Sequence, residues 1–147
     1  MGSYKKLNHS IYECKYHLVW IPKYRYKVMN GEIRYYIRDK IRQLCSWKKF
    51  EIIEGNVLPE HIHLVFWIPP TWKVCAAIGY LKGKSALGIF DKFTSLKKRY
   101  WNKKFWSPGY CISTIGLNED QIRKYVKWQQ EKDRMYEESG QMDLFDS

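Results

Sequence analysis

The residue pattern predicts an α+β fold: an antiparallel sheet with helices on one face and a further helix at the C-terminus. Three observations predict it. Short segments rich in β-branched and aromatic residues are bounded by Gly, Pro and Asn turn signals. Between them run longer segments whose apolar residues recur at helical spacing. The two kinds alternate in an order that only a few topologies accommodate.

Residues 11–21 (IYECKYHLVWI) predict the first strand, ended by Pro22 and a basic aromatic stretch, Lys23 to Lys27. Asn30-Gly31 is a turn signal. From Glu32 to about Phe50, apolar residues at 33, 36, 37, 41, 44 and 45 predict a helix. Glu51 to Glu54 predicts a second strand, broken by Gly55-Asn56 and Pro59. A third strand spans 61–68 and ends at Pro69-Pro70. Thr71 is the expected N-cap of a second helix, interrupted or ended near Gly83, with Leu87 to Phe93 extending or restarting it. Tyr110 to Ile115 predicts a fourth strand, and Asn118 caps a last helix to about Tyr136, with Glu119 and Asp120 suiting its positive end. The order β-α-β-β-α-β plus a helix is the split β-α-β arrangement of a ferredoxin-like or RRM-like sandwich. Residues 1–136 are expected to form a single domain, and 137–147 a flexible acidic tail.

The chain has 147 residues, enough for one domain with a real core. Twenty-six Lys and Arg against fifteen Asp and Glu leave a net charge of +11, which predicts an anionic partner, most often nucleic acid. The four cysteines, Cys14, Cys45, Cys75 and Cys111, form no CxxC pair, which argues against a structural zinc knuckle and for thiols in a reducing cytoplasm. No signal-peptide pattern and no apolar run of about 18 residues occurs, so a cytoplasmic protein without membrane contact is expected.

His61-Ile62-His63 is the most chemical stretch. On a strand, residues i and i+2 share a face, so both imidazoles would converge while Ile62, Leu64 and Phe66 enter the core. Two convergent histidines are half of a metal site. A lone strand histidine is usually structural, and spacing alone leaves both readings open. On the last helix, Tyr125 and Gln129 are four residues apart and share a face. Tyr125 is a candidate nucleophile toward phosphorus, and Gln129 a candidate oxygen ligand beside the two histidines. Mixed imidazole and oxygen ligation suits Mn²⁺ and tolerates Mg²⁺. The competing reading of Tyr125 is ordinary packing on an amphipathic helix.

These motifs carry a resemblance. His61-Ile62-His63, Cys14-Lys15-Tyr16-His17, Gly79-Tyr80-Leu81-Lys82-Gly83-Lys84-Ser85, Phe105-Trp106-Ser107-Pro108-Gly109-Tyr110 and Tyr125-Val126-Lys127-Trp128-Gln129 occur in this order up to about Asp133. The chain resembles the single-tyrosine HUH transposases of the insertion-sequence-200/605 family, TnpA-like proteins related to REP-associated tyrosine transposases. The resemblance implies a homodimer that recognises single-stranded DNA hairpins at element ends. It implies attack by tyrosine, a 5′-phosphotyrosine, and an element excised as a single-stranded circle. His61, His63 and Gln129 would hold Mg²⁺ or Mn²⁺, Tyr125 would attack, and its helix can complete the other subunit's site. One departure is Glu60, where the family often has Asp; its longer carboxylate would reach behind the metal ligands.

Lys82, Lys84, Ser85, Lys97, Lys98, Arg99, Lys103 and Lys104 are expected DNA contacts, with Tyr100, Trp101, Phe105 and Trp106 stacking on unpaired bases. Gln141, Leu144 and Phe145 resemble the Gln-x-x-Leu-Phe peptides that dock on the bacterial sliding clamp. Competing readings are a non-enzymatic RNA-binding module with exposed sheet aromatics, a host-domesticated HUH enzyme acting on chromosomal repeats, and an inactive DNA-binding relative.

Overall fold

A computed structural model describes residues 4–7, 10–13, 15–23, 27–100 and 104–139. The elements are β1 (Tyr4–Leu7), β2 (Ser10–Glu13), β3 (Lys15–Trp20), α1 (Gly31–Lys48), β4 (Glu51–Val57), β5 (Ile62–Trp67), α2 (Val74–Lys92), α3 (Leu96–Arg99), β6 (Cys111–Ser113) and α4 (Glu119–Ser139). The central sheet has the order β4-β5-β3-β6, every pair antiparallel. With β3, α1, β4, β5, α2 and β6 as the split β-α-β unit, this is the ferredoxin-like order.

Alternation along the strands sorts the two faces. Leu18, Trp20, Ile62, Leu64 and Phe66 enter the main core, which α1 closes with Ile37, Ile41, Leu44 and Cys45 and α2 with Ala77, Ile78, Leu81 and Ile89. Val19 and Ile21 point to the opposite face and meet Ile122 and Val126 of α4. The sheet therefore carries two helices on one face and the C-terminal helix on the other.

Several boundaries differ from the sequence expectation. The first strand is two: β2 pairs with β1 in a separate hairpin, and β3 begins at Lys15. β4 continues through Gly55-Asn56 because both pair with β5; a register shift between Ile52 and Glu54 absorbs the irregularity. Thr71 caps nothing. The extended residue before α2 is Lys73.

α2 runs unbroken through Gly79, Gly83 and Gly88. Glycine costs about 1 kcal/mol in a helix interior, and burial along one side of α2 offsets it. Gly88 also has a packing reason, since a Cβ there would overlap the Tyr36 hydroxyl of α1. At the end of α1, Lys49 turns left-handed (φ 61°), and the N–H groups of Lys49 and Phe50 return to the carbonyls of Ser46 and Cys45.

The N-cap of α4 is the one predicted. Asn118 Oδ1 accepts from the Gln121 N–H at 2.8 Å, and Gln121 Oε1 accepts from the Asn118 N–H at 2.9 Å, a reciprocal capping box. α4 extends to Ser139, past the predicted Tyr136, and Arg134 pairs with Glu131 and Glu138 along that last stretch.

Candidate active site

His61 and His63 line one groove of about 610 Å³ between the sheet and α4. β5 starts at Ile62, so His61 belongs to the connection that precedes it. That connection is tight: the His61 carbonyl accepts from the Leu58 N–H at 2.9 Å. His61 Nδ1 lies 3.2 Å from Glu60 Oε1. A carboxylate only accepts, so Nδ1 carries the proton and Nε2 is the nitrogen open to a ligand. Glu60 therefore reaches the ring of His61.

His63 Nε2 is buried with no hydrogen-bond partner. Burial lowers the pKa of both histidines, outweighing Glu60 at His61 and Glu54 at His63, where the His61 imidazole adds to the lowering. Neutral imidazoles are the form that binds metal. A buried, unpartnered ring nitrogen beside an oriented second imidazole fits a divalent cation. Among the described residues no group of three or more His, Cys, Asp or Glu could complete such a site. Amide oxygens, water and substrate oxygens are the remaining ligand types a hard cation accepts.

A third imidazole was missed. His17, on β3, stacks near His63 with ring centroids 6.0 Å apart, and its Nδ1 is likewise buried and unpartnered. The signal for it was its odd position in a strand whose even residues enter the core.

α4 presents Glu119, Ile122, Arg123, Val126, Lys127 and Gln130 to the histidine groove. Tyr125 and Gln129 are on another flank. The Tyr125 hydroxyl donates to Gln129 Oε1 at 3.5 Å, and Gln129 Nε2 donates to Asp133 Oδ1 at 3.1 Å. Both side chains crowd Gly109, where a Cβ would overlap the Gln129 amide. Within the chain, then, Gln129 does not join the two histidines; the amide in their groove is Gln130. Burial, then Cys111 and Asp133, push the Tyr125 pKa well above the ordinary tyrosine value. At rest Tyr125 is a phenol.

The expected DNA contacts divide. Ser85 is fully buried: its hydroxyl accepts from Trp106 Nε1 at 2.9 Å and donates to the Lys82 carbonyl at 3.1 Å, so it has nothing to offer a nucleic acid. Lys82 is mostly buried, donating to the carbonyls of Ser107 at 2.8 Å and Gly109 at 3.2 Å. It is internal structure, not an open cation. Tyr100, Phe105 and Trp106 are buried and pack on Phe90 and Trp20, so they fill core instead of stacking on bases. Lys97 and Lys98 are exposed. Lys84 and Lys104, with Lys23, Lys82 and Ser107, line a groove of about 630 Å³. Arg99 lies in α3. Lys103, Trp101, Cys14, Gln141, Leu144 and Phe145 lie outside the described residues.

The sheet face on which an RNA-binding module would stack bases is occupied by α4 through Ile122 and Val126. Among the described residues, no helix is long and apolar enough to cross a membrane.

Comparison with known proteins extends these observations. The sequence profile of the family described as Transposase IS200 like matches residues 10–129. The chain is 43% identical over 138 residues to the transposase for insertion sequence element IS200 of Salmonella typhimurium, covering 94% of this chain and 91% of that one. It is 35% identical over 130 residues to the ISDra2 transposase TnpA of Deinococcus radiodurans, covering 88% and 93%. Among solved structures, a transposase candidate from Deinococcus radiodurans R1 superposes with a TM-score of 0.77 at 30% identity, over 85% of this chain and 97% of that one. A REP-associated tyrosine transposase bound to a REP hairpin superposes with a TM-score of 0.51 at 17% identity, over 83% and 67%. That last likeness concerns the fold alone.

Proposed function

The chain belongs to the IS200-like transposase family, and we propose on that premise that it cleaves and rejoins single-stranded DNA at hairpin-marked element ends through a 5′-phosphotyrosine on Tyr125. One observation carries the reading: an oriented His61 and a buried, unpartnered His63 Nε2 face one groove beside the helix that bears Tyr125. His61 and His63 would hold Mg²⁺ or Mn²⁺, with Gln129 supplying an oxygen ligand. When bound, such a cation would draw charge from the scissile phosphate.

The chain's own residues do the rest. Tyr125 gives up its phenolic proton as Oη attacks phosphorus, the bond from phosphorus to the 3′ oxygen breaks, and that oxygen takes up a proton to leave as a 3′ hydroxyl. The 5′ phosphate stays esterified to Tyr125, so the bond energy is kept and rejoining needs no nucleotide cofactor. In its resting pocket Tyr125 is a protonated, weak nucleophile, and it becomes reactive only on leaving it.

Tyr125 and Gln129 meet a histidine pair only if α4 turns or serves another subunit. We propose a homodimer in which α4 completes the site of the second chain. Lys84 and Lys104, in the lining of the larger groove, and Lys97 and Lys98 nearby in sequence would neutralise DNA phosphates. Gln141, Leu144 and Phe145 would separately dock on a sliding clamp; equal clamp affinity for a chain ending at Gly140 sinks that idea.

The test of the main reading uses labelled single-stranded hairpin DNA from an IS200-type element end, with Mg²⁺ or Mn²⁺. Wild type should give an adduct that survives denaturation, and Tyr125→Phe should give none. An adduct that persists in Tyr125→Phe would place the nucleophile elsewhere, with Tyr136 next in line.

A further inference from the structure

Buried polar side chains are few. Among the described residues they are Ser85, Ser107, Gln129 and Asp133. Ser85 is satisfied by Trp106, as above. The other three form one cluster, and it touches the nucleophile. Asp133 Oδ1 accepts from Gln129 Nε2 at 3.1 Å and from Ser107 Oγ at 3.2 Å. Gln129 Oε1 accepts from the Tyr125 hydroxyl. Lys82, bonded to the Ser107 and Gly109 carbonyls, adds a positive charge that interacts with Asp133.

A primary amide has almost the same shape after a half-turn, so packing alone does not choose where its oxygen points. The chemistry does choose. A hard divalent cation takes the amide oxygen and not the NH₂ group. A carboxylate accepts and never donates, so Asp133 binds only the NH₂ end. Tyr125, Gln129 and Asp133 stand at i, i+4 and i+8 on α4, one face of the helix. Their arrangement therefore travels with α4, whichever histidine pair the helix serves.

We propose that Asp133 is a positioning residue for strand cleavage: by accepting from Gln129 Nε2 it turns the amide oxygen toward Tyr125, so that ligand and nucleophile are presented together. Asp133 itself touches neither DNA nor metal. The inference rests on the roles of Tyr125 and Gln129 proposed above. The alternative is that Asp133 only anchors α4 to Ser107.

An exchange of partners separates the two. Gln129→Glu sets two carboxylates against each other and should slow adduct formation at least about 100-fold, an effect on kcat with little change in KM. Adding Asp133→Asn swaps amide and carboxylate, restores the hydrogen bond and keeps an oxygen directed at Tyr125. The double variant should regain at least about tenfold of the loss. A readout without metal or DNA accompanies it: in ¹⁵N NMR the Gln129 side-chain amide should exchange slowly in wild type and rapidly in Asp133→Leu. It should stay slow in Val126→Ala, which loosens the apolar contact of α4 and makes no bond to the cluster.

Three outcomes overturn the inference alone while wild type remains active: a double variant no faster than Gln129→Glu, an amide unprotected in wild type, or protection lost equally in Val126→Ala. A wild type that forms no adduct overturns the role of Tyr125, and this inference with it.

Discussion

The two faces of the sheet are built on different scales. One is sealed by α1 and α2 over a core that runs from Leu18 to Trp106 and includes Trp20, Phe66, Tyr100 and Phe105. The other is held by four buried apolar residues, Val19, Ile21, Ile122 and Val126, with Cys111, Leu117 and Tyr125 half-buried against them. Apolar area buried sets how firmly an element is held, so the first face makes the fold and the second holds α4 over a smaller apolar contact. The proposed chemistry sits on the second. His61 and His63 line its groove, and the resting Tyr125 lies on a neighbouring flank of α4.

The contrast can be broken most sharply at Tyr125. Tyr125→Phe should lower adduct formation by about 10⁴-fold or more and shift stability by only about 0.5–1.5 kcal/mol, the net worth of its hydrogen bond to Gln129. A large loss of stability on urea denaturation would mean that the α4 face is structural after all. Phe66→Ala, on the sealed face, should do the reverse and cost about 3–5 kcal/mol, seen as a lower urea midpoint.

Glu60→Ala should weaken Mn²⁺ binding about 10–100-fold in a calorimetric titration, because His61 loses the acceptor that sets its tautomer and orientation. Its urea midpoint should hold. Val126→Ala should cost only about 1.5 kcal/mol, at about 0.8 kcal/mol for each carbon removed from the small core. A cost matching Phe66→Ala would erase the distinction between the faces.

The smallest effect is one of pH. Burial, opposed by Asp133, pulls the Lys82 pKa down to about 8 from its ordinary 10.5. Between those values the unfolded chain keeps a proton that the folded chain has released, so stability attributable to Lys82 rises with pH across that window and is level below it. The urea stability of wild type minus that of Lys82→Met should climb between about pH 8 and pH 10.5. A flat difference would mean that Lys82 is solvated and no part of the buried cluster.

Much of this was legible in the residues. Helical and strand periods are local, so β3, α1, β5 and α4 were expected within a few positions, and the Asn118 cap was named. Edges went astray where pairing overrode turn chemistry: Gly55-Asn56 stays in β4 because β5 supplies its hydrogen bonds. Gly83 stays in α2 because Leu81 and Ser85 are buried on either side of it. The basic segment was readable as charge but not as burial. Lys82 and Ser85 look like Lys84 in sequence, and only their contacts with Ser107, Gly109 and Trp106 set them apart.

By itself the sequence determined the order of the central strands and helices, the histidine pair and the shared helix face of Tyr125 and Gln129, because each rests on spacing along one segment. Tertiary structure alone decided which side of α4 meets the sheet. Neighbouring residues on a helix point about 100° apart, so the docking of Ile122 and Val126 puts Gln130 in the histidine groove and turns Gln129 toward Gly109 and Asp133. That rotation is set by packing between segments about 100 residues apart, which no local pattern encodes.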